Sequence, residues 1–119
     1  MKRTYRLRTR ADFQRVRDAA ARGWPHPLLV LYVAPNDLAI SRAGITVSGR
    51  VGKAVVRNRV RRRLREALRA RWPRLPAGLD VLVVARPAAA TASWLELGAA
   101  LDQLLRRAVS SSTAEASGR

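Results

Sequence analysis

The sequence predicts a small two-layer α/β sandwich with elements in the order α-β-β-(β)-α-β-α. Three observations predict it. The segment Arg50 to Arg74 carries an apolar stripe at helical spacing. Two short apolar runs, Leu28–Ala34 and Asp80–Arg86, are bounded by turn residues and read as strands. Two capping signatures, Thr9 to Asp12 and Ser93 to Glu96, each open a further helix. Helices and strands with one apolar face apiece are satisfied by packing helices on a sheet.

The first ten residues alternate cations with Tyr5 and Leu7 and read as an irregular basic arm. A helix is expected from about Arg10 to Ala21, with Phe13, Val16 and Ala20 inward and Gly23 as its end signal. Trp24-Pro25-His26-Pro27 is a proline-restricted connector with room for a short edge strand. Leu28–Ala34 follows as a strand, Pro35-Asn36-Asp37 as a turn, and Arg42 to Ser48 as a strand with Ile45 and Val47 on one face. Gly49 and Gly52 punctuate the loop that leads to the basic segment.

In that segment Val56, Val60, Leu64, Ala67 and Leu68 form one helical stripe. Asn58, Arg62, Arg65 and Arg69 fall opposite, with Arg57, Arg59 and Arg61 on the flanks. The segment holds eleven Lys and Arg against one acid, Glu66. So many neighbouring cations repel one another, and a polyanion relieves that repulsion while releasing counterions. Pro73 stops the helix near Trp72. After the strand Asp80–Arg86, Pro87 and the Ser93 cap lead to a last helix with Trp94, Leu97, Leu101, Leu104, Leu105 and Ala108 inward and Arg106 and Arg107 in its last turn. Residues 1–109 are expected to form one domain, and 110–119, lacking large apolar groups, a disordered tail.

Of the 119 residues, 24 are Lys or Arg and 8 are Asp or Glu, a net charge of +16 that points to a polyanionic partner. Arginine outnumbers lysine 22 to 2, and its forked guanidinium suits phosphate and stacking on bases. The absence of cysteine removes disulfides and thiolate metal sites and fits a reducing cytoplasm. No apolar run reaches membrane-spanning length, and no secretory signal follows the basic start.

Catalytic residues are not expected. The eight acids are scattered rather than gathered for a pair of metal ions. His26 reads as a surface imidazole, and no Ser/His/Asp arrangement stands out. No metal site and no small-molecule substrate are indicated.

Gly44-Ile45-Thr46-Val47-Ser48 followed by Gly52-Lys53-Ala54-Val55-Val56-Arg57-Asn58-Arg59-Val60-Arg61-Arg62 resembles the signature of the bacterial ribonuclease P protein subunit. The resemblance covers about residues 3 to 109. It implies a catalytic RNA subunit as partner, precursor tRNA as substrate, and Mg²⁺-dependent removal of the 5′ leader with catalysis in the RNA. It implies Lys53, Arg57, Asn58, Arg59, Arg61, Arg62 and Arg65 as the RNA-binding face. It also implies Phe13, Arg17 and Tyr32 as leader contacts, with Arg17 standing where relatives often carry an aromatic. Mg²⁺ would be held chiefly by RNA oxygens and water. The residue pattern alone favours a right-handed crossover between the strands at Arg42–Ser48 and Asp80–Arg86; the resemblance implies a left-handed one.

Phe13 and Tyr32 also fit as ordinary core rings, and the pattern leaves that choice open. Trp94 reads as core; Trp72 fits either role; Trp24 is unassigned. A ribosomal or other structural RNA-binding protein is the alternative function, compatible with the same size and charge. A DNA-reading helix fits less well, because base readout mixes residue types where this helix repeats cations.

Overall fold

The computed structural model describes residues 6, 7, 9–20 and 22–117, with side chains described as far as residue 110. Helix α1 (Arg10–Ala19) is followed by strands β1 (Gly23–Pro25), β2 (Leu29–Pro35) and β3 (Arg42–Thr46). Helix α2 (Ala54–Arg71), strand β4 (Leu79–Ala85) and helix α3 (Trp94–Ser117) complete the order, with 3₁₀ turns at Trp72–Arg74 and Pro87–Thr91. The four strands lie in the order β1-β2-β4-β3. β4 pairs antiparallel with β2 and parallel with β3, so α2 is a crossover between parallel neighbours. Outside β3, Arg6 bridges Ala43, and the Leu7 N–H donates to the Ala43 carbonyl at 2.8 Å.

Alternation along the strands gives the sheet two apolar faces. Leu29, Leu31, Ala43, Val81 and Val83 face α2 and α3, meeting Val60, Leu64, Leu68, Leu97, Leu101 and Leu104 in the main core. Ala34 and Leu82 face the other way and pack with Leu7 and Val16, beside Phe13, Tyr32 and Val84. β4 is thus covered on both sides, which explains its continuous apolar run. Each fully buried leucine contributes about 1.5–3 kcal/mol.

The expected helix starts are present. Thr9 Oγ1 accepts from the Asp12 N–H at 3.0 Å while Asp12 accepts from the Thr9 N–H. Ser93 and Glu96 make the same reciprocal pair at the start of α3. Three helix expectations need correction. α1 ends at Ala19, where Ala20 turns extended, and Gly23 lies in β1 instead of ending the helix. Trp94 is not core: it is 51% exposed, because it is the first residue of α3 and the first buried leucine comes at Leu97. α3 also runs on to Ser117, so Arg106 and Arg107 lie mid-helix; the stretch expected as a tail has no proline or glycine before Gly118 to interrupt helical geometry. Strand β3 stops at Thr46, two residues short of Ser48.

One buried ion pair registers β3 on β4. Arg42 Nε and Nη2 donate to the two oxygens of Asp80 at 2.9 and 2.7 Å, and Asn36 Nδ2 donates to the same carboxylate at 2.9 Å. Donation from Arg42 to the Asp80 carboxylate raises the Arg42 pKa above its ordinary value. Asp80 is only 4% exposed. Asp80→Ala leaves the Arg42 guanidinium half-buried and unanswered, so unfolding by denaturant should show a loss of about 3 kcal/mol; a loss under about 1 kcal/mol would mean the pair does not fix this strand register.

Candidate nucleic-acid interface

α2 sets its own orientation through burial. Val60, Leu64, Ala67 and Leu68 are fully buried and Val56 is partly so. The opposite side therefore carries Asn58, Arg62 and Arg69 into solvent, with Arg57, Arg61 and Arg65 half-buried along one flank. Lys53 is exposed at the N-cap and its side chain makes no capping bond. No acid lies in the first turn of α2. Exposed amides and nearby cations at a helix N-terminus together favour an anion.

The predicted RNA-binding residues are not all equally available. Arg61 Nη1 donates to Asn58 Oδ1 at 3.0 Å, which aligns both on the outer face. Arg59 turns inward, its Nη2 donating to the Ala90 carbonyl at 3.3 Å. Arg63, one turn on, donates to the Ala92 carbonyl at 2.9 Å. These two arginines tie α2 to the turn before α3. Arg57 Nε and Arg59 Nε are buried without a hydrogen-bond partner among the described residues.

The other predicted surface lies across the sheet from α2. Gly23, Tyr32, Leu82 and Gly44 stand side by side in the ladders of β1, β2, β4 and β3. The two edge positions are glycines for a steric reason. A Cβ on Gly44 would lie 2.5 Å from Phe13 Cε1, and one on Gly23 would lie 2.9 Å from Tyr32 Cε1. Each ring rests against a bare stretch of backbone at one edge of the sheet. Arg17 places its guanidinium over Tyr32, 5.7 Å from the ring centre, a cation–π contact. The next row, Val30, Val84 and Thr46, is half-buried and floors the space beside the rings. Thr46 Oγ1 is buried there without a partner among the described residues.

Phe13, Arg17 and Tyr32 are therefore brought to one side of the sheet. The rings are both half-buried, packed against the small cluster on one side and open on the other. At the outer edge of β3 a hollow of about 120 Å³ joins Phe13 and Gly44 to Arg6, Arg61 and Arg65. The cationic flank of α2 and the aromatic face are thereby adjacent across one strand edge. The seats at Gly23 and Gly44 were not assigned from sequence: Gly23 reads there as a helix end signal, and Gly44 only as a glycine inside a strand, which marks a close approach without saying by what.

Five of the eight acids are engaged elsewhere. Asp12 and Glu96 cap helices, Asp80 holds Arg42, Asp102 holds Arg71 and Glu66 holds Arg69. Among the described residues no three His, Asp or Glu side chains gather to hold a metal ion. Those residues do not fit an oxygen cage for Mg²⁺. No helix of the described residues is long and apolar enough to cross a membrane.

A basic helix beside an aromatic strand face defines an RNA-binding α/β domain. The family model described as Ribonuclease P matches residues 1–109. The ribonuclease P protein component of Roseiflexus castenholzii is 49% identical over 109 residues, covering 91% of this chain and 88% of that protein. That of Herpetosiphon aurantiacus is 44% identical over 108 residues, covering 91% and 87%. The solved Staphylococcus aureus RNase P protein superposes with a TM-score of 0.80 at 31% identity, covering 87% of this chain and 94% of that one. The Thermotoga maritima RNase P protein gives 0.74 at 28% identity, covering 85% and 96%. The chain belongs to the ribonuclease P protein family.

Gly44→Ala should displace the Phe13 ring and lower stability by about 1–3 kcal/mol. In a double-mutant cycle with Phe13→Ala the two changes should couple, because neighbours in contact are not additive. Additive losses would mean that Phe13 does not rest on Gly44.

Proposed function

We propose that this chain is the protein subunit of a bacterial ribonuclease P, working in the cytoplasm to assist removal of the 5′ leader from precursor tRNA. The outer face of α2, with Lys53, Arg57, Asn58, Arg61, Arg62 and Arg65, grips the catalytic RNA subunit. Arg59 contributes to that face while also bracing the turn before α3. Phe13, Arg17 and Tyr32 receive the single-stranded leader. Hydrolysis belongs to the RNA, and Mg²⁺ is ligated by RNA oxygens and water.

The observation that carries this reading is that Phe13 and Tyr32, each on a glycine seat, share one face of the sheet, with Phe13 beside a strand edge lined by arginines. Single strands bind where bases can stack on aromatic rings while cations follow the backbone. Arg17 over Tyr32 adds a cation to that ring, so part of the leader contact is electrostatic. A purely structural pair of rings would not need an open floor of Val30, Val84 and Thr46 beside it.

The two surfaces are separable by mutation. Lys53 and Arg62 are exposed, and neither lines the hollow beside Phe13. Lys53→Ala with Arg62→Ala should weaken binding to the catalytic RNA by about 2–4 kcal/mol, taking about 1–2 for each charge-assisted contact. Tyr32→Ala should spare that binding and cost the holoenzyme about 1–3 kcal/mol for precursor tRNA. Mature tRNA should bind both holoenzymes alike. Equal losses for the two tRNAs, with the fold intact by circular dichroism, would remove Tyr32 from the leader site.

A further inference from the structure

A cavity of about 290 Å³ opens where the end of α2 meets the middle of α3, in the layer across the sheet from Phe13 and Tyr32. Three arginines border it, and one of them is locked. Arg71 Nε and Nη2 donate to the two oxygens of Asp102 at 2.5 and 3.0 Å, and Nη1 donates to the Ala67 carbonyl at 2.9 Å. The guanidinium passes over α3 at Gly98, where a Cβ would lie 2.8 Å from Nη2. The tie from α2 to α3 thus runs close over a glycine and ends on one acid.

Arg74 and Arg106 are different. Both are exposed, and neither has an ion pair of its own among the described residues. Asp102 is already engaged by Arg71, and its carboxyl lies below its usual range through that bond, with Arg74 and Arg106 adding to the effect. Three guanidiniums against one carboxylate leave +2 at the rim. The wall beside them is apolar, formed by Leu75, Leu105 and Val109. A structural ion pair needs neither the two extra cations nor the sheltered wall. An anion with a flat apolar body uses both. The volume is near the lower end for small-ligand sites, about 300 Å³, and suits one such group rather than a strand.

We infer that this cavity takes a single unpaired nucleotide of the catalytic RNA, its phosphate between Arg74 and Arg106 and its base against Leu75 and Val109. The identity of the RNA rests on the function proposed above. RNA offers unstacked bases in loops and bulges, and proteins recognise it chiefly there. The outer face of α2 grips backbone without fixing where along it the protein sits. A nucleotide held at the far end of the same helix fixes that register.

The chain has no cysteine, so one introduced thiol reports one place. Ser110→Cys puts it on the cavity rim, and Val55→Cys puts a second probe on the exposed side of α2, at a residue outside the RNA-gripping set. Each protein is labelled with an arylazide, assembled with the catalytic RNA and irradiated. The label at 110 should join a narrow set of nucleotides. Adding Arg74→Gln and Arg106→Gln should cut that yield at least about tenfold, equivalent to about 1.4 kcal/mol, while the yield from position 55 stays within about twofold. Three outcomes would overturn the inference: no RNA joined at 110 while position 55 reacts, products scattered along the RNA, or a yield indifferent to both arginines. Attachment of an acidic protein in place of RNA at 110 in a cell extract would also overturn it. Silence at both positions overturns the RNA-gripping role of α2 as well.

Discussion

Burial of one stripe of α2 is the constraint on which the rest depends. Isolated in water, a helix with this many like charges would be weak, since like charges one turn apart destabilise it. Val60, Leu64, Ala67 and Leu68 reach zero exposure against the sheet and α3, and their burial offsets that repulsion. The same burial fixes the rotation of the helix. A change of one residue in phase, about 100°, would bring guanidiniums into the core and valines into solvent. Arg59, Arg63 and Arg71 then secure the helix to the turn before α3 and to α3 itself. The remaining cations are left for a partner by the packing that holds the domain together.

The sheet divides its labour in a similar way. One face is a continuous core under α2 and α3. The other is covered only in part by α1, which buries Val16 and leaves Tyr32, Val30 and Val84 half-covered. Arg42 and Asp80 close one end of that face. At its sides the glycines let the two rings lie close to the backbone. The edge of β3 brings this face against the arginine flank of α2, so aromatic rings and cations stand on adjacent elements.

Much of this was legible in the sequence because it depends on period and caps. The stripe of α2, the alternation of β2, the two capping boxes and the edge strand at Trp24 all follow from local chemistry. What was not legible depends on what stands opposite. Trp94 is in phase with Leu97 and Leu101 but precedes the part of α3 that has anything to pack on. Arg57 and Arg59 lie on opposite flanks of the helix, about 200° apart, and period alone does not tell that only Arg59 finds a carbonyl within reach, at Ala90. Trp24, unassigned from sequence, sits against the core with Arg22 over its ring at 4.2 Å. The glycine seats and the Arg71–Asp102 tie join residues far apart in the chain, and no local pattern encodes such meetings.

The central claim is that the outward face of α2 is an RNA-phosphate surface and not a solvated one. The most direct measurement is the affinity for the catalytic RNA over a series of salt concentrations. With about six phosphates neutralised, the plot of log K against log salt should slope at about −4 if the contacts are single-stranded and about −5 if they are duplex. A slope near zero would contradict the account, because it would mean that no counterions leave when α2 meets RNA.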